Sequence, residues 1–92
     1  MPLSTDPQQR FANYDLFSIR FPMFDGAKQV ICLVTSEALQ DLAAPDGRHL
    51  EPIEELFTSY RSQVEQIASD KYDAGYLTNG EIRVVNSDVR AP

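Results

Sequence analysis

The stretch PIEELFTSYRSQVEQIASDKYDA, residues 52–74, decides the fold, because its apolar side chains recur at the spacing of one helix face. Pro52 fits a first helical turn, where its missing N–H costs no hydrogen bond, and Gly75 is placed to end the helix. The sequence therefore predicts a long amphipathic helix over residues 52–74 with a polar, solvated opposite side. Its apolar stripe comprises Ile53, Leu56, Phe57, Tyr60, Val64, Ile67, Ala68 and Tyr72.

Upstream of this helix, the dipeptide Asp25-Gly26 separates two strand-like segments and predicts a β-hairpin with a two-residue turn. Side chains alternate between the two faces of a strand, so the turn also predicts which residues share a face. The face turned toward the helices would hold Phe17, Ile19, Phe21, Val30, Cys32 and Val34, with Phe21 opposite Val30. The outer face would hold the apolar residues Leu16, Ile31 and Leu33.

The remaining segments complete an α+β fold. Thr35 and Ser36 can cap a short helix, which Ala44-Pro45-Asp46-Gly47 would end. Asn79-Gly80 predicts a turn before a last strand at residues 81–85. We expect the order β-β-α-α-β, with a three-stranded antiparallel sheet in the order 2-1-3 and one short and one long helix on one face. Residues 13–86 would form one domain, residues 1–12 a flexible arm and residues 87–92 a frayed tail.

Composition and charge argue against several classes of function. The chain has 92 residues, a net charge of −6 and scattered basic residues, so it lacks the clustered positive charge of nucleic-acid binders. No apolar run approaches the roughly 20 residues of a membrane helix, so we expect no membrane insertion. One cysteine rules out an internal disulfide, and the polar start of the chain does not look like a signal peptide. These observations together favour the cytoplasm.

Short segments spread along the chain carry a family likeness. They are Tyr14-Asp15, Ile19-Arg20-Phe21, Asp25-Gly26, the run at residues 30–34, Ser36-Glu37-Ala38-Leu39 and the run at residues 67–72. In this order and spacing the chain resembles the small bacterial proteins grouped as domain of unknown function family 1488, from about Phe11 to Asp88. The resemblance implies a compact α+β fold. It implies no activity, cofactor or catalytic residue.

The inventory of chemically active residues is small. The hairpin register places Cys32 in the core, which favours a structural role. His49 lies in the loop of residues 44–51, where it could act with Asp46 and Arg48 on a small molecule, or simply be solvated. The acidic residues Glu51, Glu54 and Glu55 are sufficiently explained by the positive end of the helix dipole. The sequence thus predicts no catalytic residue, no cofactor and no metal site.

The outer hairpin face is harder to explain as scaffold. Leu16, Ile31 and Leu33 would be exposed there, unless one of the termini folds over them, and exposed apolar patches often mark interfaces. The first hypothesis is therefore a non-enzymatic cytoplasmic interaction or accessory module that forms a homodimer or binds a protein partner. The second hypothesis is a small-molecule-binding or catalytic protein that uses the 44–51 loop.

Overall fold

The computed structural model describes residues 3–6, 8, 12–15 and 17–90. The chain order is β1 (Ser4–Thr5), β2 (Ala12–Asp15), β3 (Ser18–Asp25), β4 (Lys28–Thr35), α1 (Ser36–Ala43), a short 3₁₀ turn (Ala44–Asp46), α2 (Ile53–Asp73), β5 (Ile82–Val84) and α3 (Asn86–Arg90). The α+β class is confirmed, and so is the long helix.

The central hairpin of β3 and β4 turns one residue later than predicted. Asp25 pairs with Lys28, so Gly26 and Ala27 form the two-residue turn. Gly26 has φ 62° and stands at the first central position, where such turns take a glycine with positive φ. The predicted turn length was right, but its predicted position at Asp25-Gly26 was wrong. Gly26, which has the positive φ, is the first of the two turn residues instead of the second.

The shift in the turn changes the pairing but not the faces. Phe21 lies opposite Cys32 rather than Val30. The partner of each β3 residue moves by two positions along β4. Because two is an even number, each side chain keeps its predicted face. The buried face comprises Ile19, Phe21, Met23, Val30, Cys32 and Val34. Phe17 is the exception: it lies in the turn before β3 and is 70% exposed, so its predicted place in the core was wrong.

Within the described residues the sheet has five strands, and the predicted order 2-1-3 was wrong. Strands β1 and β2 both pair with the outer edge of β3, the edge that the last strand was expected to take. Strand β5 instead lies parallel to β4, with Cys32 opposite Ile82 and Val34 opposite Val84. A connection through helices is what parallel neighbours require, and α1 and α2 supply it.

Two segments near the ends of the chain form regular structure that was not predicted. Ser4–Thr5 forms a strand where a flexible arm was predicted, and Leu3 beside it is 7% exposed. Asn86–Arg90 forms a helix where a frayed tail was predicted. Val89 of this helix packs against the core, which explains why the segment is helical rather than frayed.

The helix boundaries follow the local signals. The Thr35 hydroxyl accepts a hydrogen bond from the Ala38 N–H at 3.2 Å and caps α1. At the end of α2, the Tyr76 N–H donates to the Lys71 carbonyl at 2.9 Å, and Gly75 has φ 84°. This is a Schellman ending, and it places the end of the helix where the glycine predicted it.

The core lies between the sheet and the helices. The rings of Phe21 and Phe57 have centroids 5.0 Å apart and join β3 to α2. The predicted stripe of α2 is buried at its centre, while Ile53, Ile67 and Tyr72 are half-buried at its rim. The opposite side of α2 is not uniformly solvated, however, because Arg61, Glu65 and Ser69 are buried as well.

Candidate functional site

The loop of residues 44–51 was the predicted small-molecule site, and its arginine is bonded to Glu51 and Ser59. Nε and one terminal nitrogen of Arg48 donate to the two carboxylate oxygens of Glu51 at 2.8 and 2.9 Å. The same terminal nitrogen also donates to Ser59 Oγ at 2.9 Å, and the guanidinium lies 5.7 Å from the ring centre of Tyr60. The hydrogen bond from Arg48 lowers the pKa of Glu51 and raises that of the guanidinium. Arg48 thus ties the loop to α2.

Asp46 makes a second tie between the same loop and α2. Its carboxylate accepts a hydrogen bond from the Tyr60 hydroxyl, and this bond raises the pKa of the phenol. Tyr60 lies where α2 bends, with φ −111° and ψ 15°. Thr58 donates its hydroxyl to the Glu54 carbonyl at 3.0 Å, a back-bond that often bends helices. Asp46 therefore holds the loop against α2 at Tyr60, where the helix bends.

The structure does not bring the three predicted loop residues together as a reactive set. Asp46 and Arg48 both contact α2, whereas His49 is an exposed loop residue. Within the described residues, no group of three or more histidine, cysteine, aspartate or glutamate side chains could hold a metal ion. A shallow open groove lined by Arg48, Glu54, Glu55, Thr58 and Ser59 runs beside the loop.

The outer face of the sheet is the predicted interface. Leu16 lies outside the described residues. Ile31 and Leu33 are half-buried on the face of β4 that points away from the core. Arg20, opposite Leu33 on β3, reaches Glu81 with Nε 3.2 Å from the carboxylate. Strand β4 lies between Arg20 and Glu81 and carries Ile31 and Leu33. The outer face therefore combines an apolar centre with charges of both signs.

A row of buried polar residues on α2 escaped the sequence reasoning. Arg61 pairs with Glu65 at 3.0 Å, and its guanidinium lies 4.9 Å from the ring centre of Phe57. Glu65 also accepts a hydrogen bond from the Thr5 hydroxyl at 2.7 Å. The Leu3 N–H donates to Ser69 at 3.2 Å. The spacing of four residues was visible in the sequence, but nothing local indicated that residues near the start of the chain cover this row.

In the part of the chain that the structure describes, no helix has the length and apolarity needed to cross a membrane. Among known families, a model described as a protein of unknown function, DUF1488, matches residues 8–84. Comparisons with curated proteins and with solved structures find no significant match. The family match runs from before β2 to the end of β5 and includes the central hairpin, α1 and α2. The chain therefore belongs to the DUF1488 family, whose function is unknown.

Proposed function

We propose that the protein is a small non-enzymatic interaction module of the cytoplasm that binds a protein partner through the outer face of its sheet. The observation that carries this proposal is the pair Ile31 and Leu33 on the face of β4 opposite the core. A sheet with one solvated face normally alternates apolar residues inside with polar residues outside. Two aliphatic residues in successive outward positions break that alternation and favour a contact surface.

The charges around this pair support a protein as the ligand. Arg20 and Glu81 are part-exposed, with 34% and 23% of their side chains accessible, and they lie beside the aliphatic centre. An apolar centre bordered by polar and charged groups is the usual anatomy of a protein interface. A second copy of the chain is the first partner to test, since a surface with both signs of charge can pair with itself about a two-fold axis.

The 44–51 loop supports a small-molecule or catalytic role less well. Asp46 and Arg48 are engaged with Tyr60, Glu51 and Ser59, so their charges hold the loop against α2. A catalytic acid–base pair needs groups within reach of a substrate and of each other.

The test compares two leucine substitutions in the 92-residue chain. Leu33→Asp places a charge on the outer face, whereas Leu50→Asp makes the same change at a loop residue that is 88% exposed. Light scattering after size exclusion at high micromolar concentration should give a dimer for the wild type and for Leu50→Asp, and a monomer for Leu33→Asp. A monomeric wild type would contradict self-association.

A partner of a different sequence is tested by affinity capture from the native cytoplasm, with the same variants as bait. A protein retained by the wild type and by Leu50→Asp, but lost with Leu33→Asp, would support docking on the outer face. Equal retention by all baits would place the docking site elsewhere and overturn the proposal. Thermal melts of the variants check that each is folded.

A further inference from the structure

The N-terminal residues 3–6, called the strap below, lie across the edge of β3 and the polar row of α2. Ser4 pairs with Phe24 and Thr5 with Met23 in antiparallel register. The Leu3 N–H and the Thr5 hydroxyl reach side chains of α2. Leu3 is 7% exposed, so its side chain is packed beneath the strap as that of a bound extended peptide would be.

The seat of the strap is built from α2 residues spaced by four, which places them in one row on the helix. They are Arg61, Glu65 and Ser69, with exposures of 8%, 7% and 6%. One carboxylate oxygen of Glu65 accepts from Arg61 and the other accepts from the Thr5 hydroxyl. A buried ion pair is costly unless its remaining hydrogen-bonding capacity is satisfied, and the strap supplies that partner.

The strap is attached more lightly than the rest of the sheet. Its strand has two residues, against eight each in β3 and β4. The Leu3 N–H and the Thr5 hydroxyl link it to α2 across 66 and 60 positions of sequence. A groove remains beside it, lined by Leu3, Thr5, Met23, Ser62, Glu65, Gln66 and Ser69. Leu3 and Asp6 are buried, whereas Ser4 and Thr5 are exposed, and a short edge segment opens at a lower free energy than the centre of a sheet.

We propose that the seat is a binding groove for an extended peptide, and that the strap occupies it as an internal ligand. The peptide would add a strand to the edge of β3, place a leucine where Leu3 lies, and present a hydroxyl to Glu65 two residues later. Strand addition of this kind takes affinity from backbone pairing and specificity from alternate side chains. The strap competes at a high effective concentration, so an outside peptide binds only when the strap is weakened.

The test uses full-length protein and a fluorescent peptide with the sequence of residues 1–8. Leu3→Asp weakens the strap, and Ser4→Asp is the control, because Ser4 is exposed in the neighbouring position. By fluorescence anisotropy, Leu3→Asp should bind the peptide at least tenfold more tightly than the wild type or Ser4→Asp. A peptide with valine in place of threonine should bind Leu3→Asp at least tenfold more weakly, because it lacks the hydroxyl for Glu65.

A folded Leu3→Asp that does not bind the peptide, or that binds it no better than the wild type does, would overturn the proposal. If Leu3→Asp does not fold, hydrogen exchange of the wild type and of Thr5→Val decides instead. The strap should then exchange at least tenfold faster in Thr5→Val, with no change in β4. Strap amides that exchange only with global unfolding would contradict a detachable strap.

Discussion

Cys32 shows how its surroundings decide the chemistry of a residue. The thiol is fully buried in the centre of β4, and its Sγ lies 3.9 Å from the Val30 carbonyl oxygen. Burial, together with the negative charges of Glu65 and Glu81, raises the pKa of this thiol to about 12. Only the thiolate is a good nucleophile, so Cys32 acts as a small apolar side chain of the core.

The raised pKa of Cys32 predicts a loss of stability at high pH. The unfolded thiol ionises near pH 9.0, whereas the folded thiol stays neutral up to about pH 12. The stabilisation is complete below pH 9 and is lost as the pH rises, by about 1.4 kcal/mol per pH unit in this range. Urea unfolding of wild type and Cys32→Ala is measured between pH 8 and pH 11. The free energy of unfolding should fall more steeply with rising pH for the wild type.

Thiol reactivity gives an independent check on Cys32. At pH 8 a thiol-modifying reagent should react with the unfolded protein and leave the native protein unmodified, because the native thiol is neutral and buried. Parallel pH curves for wild type and Cys32→Ala, or rapid labelling of the native protein, would contradict the burial described here.

Single residues also mark the limit of what the sequence could predict. Ile19, Phe21 and Cys32 were placed on the correct face, because strand alternation is a local rule. Glu65 and Ser69 were assigned to solvent, yet both are buried by residues sixty or more positions away. A helical wheel contains no information about such a distant segment, so the seat of the strap could not be derived from sequence.

Among the elements, α2 was the easiest to predict and carries the largest share of the core. Its stripe lies within the helix, and the proline and glycine that mark its start and end lie within two residues of it. The neighbour of β5 was not predictable in this way. That choice depended on whether residues 4–5 and 12–15 would take the free edge of β3, and segments of two and four residues give little strand signal.

Phe57 of α2 provides the test of the core at the scale of elements. Its side chain is fully buried and its ring packs against Phe21 on β3. Phe57→Ala should lower the free energy of unfolding by about 3–5 kcal/mol, through lost burial and the cavity left behind. Phe17→Ala removes the same ring from a site that is 70% exposed, and should change stability by less than about 1 kcal/mol.

Urea unfolding of the Phe57→Ala and Phe17→Ala variants gives both free energies in one experiment. Equal losses would show that α2 does not anchor the sheet through Phe57. A large loss for Phe17→Ala alone would place that ring in the core, contrary to its exposure.

At the scale of the whole molecule, two elements that were not predicted, β1 and α3, are attached to opposite edges of the sheet. Residues 4–5 add to β3 on one side, while α3 follows β5 on the other. Lys71 donates to the Arg83 carbonyl at 2.5 Å and to Asp88 at 2.9 Å. Unprotected sheet edges invite pairing with other chains, and charged side chains are a common protection. Segments expected to be flexible thus complete the fold.

Substitutions at Asp88 test how α3 is held in place after β5. The Asp88 carboxylate accepts from Lys71 of α2 and from the N–H of Val85, the residue before α3, each at 2.9 Å, so it joins α2 to the start of α3. Asp88→Ala should destabilise the protein by about 1–2 kcal/mol, the usual cost of losing a helix cap together with a part-exposed ion pair. Asp88→Asn can still accept from the Val85 N–H and should lose less than half as much stability.

Urea unfolding measures the loss of stability in both variants, and limited proteolysis should cut Asp88→Ala first near its C-terminal end. Equal losses in the two variants would mean that the charge rather than the cap holds α3 against the sheet.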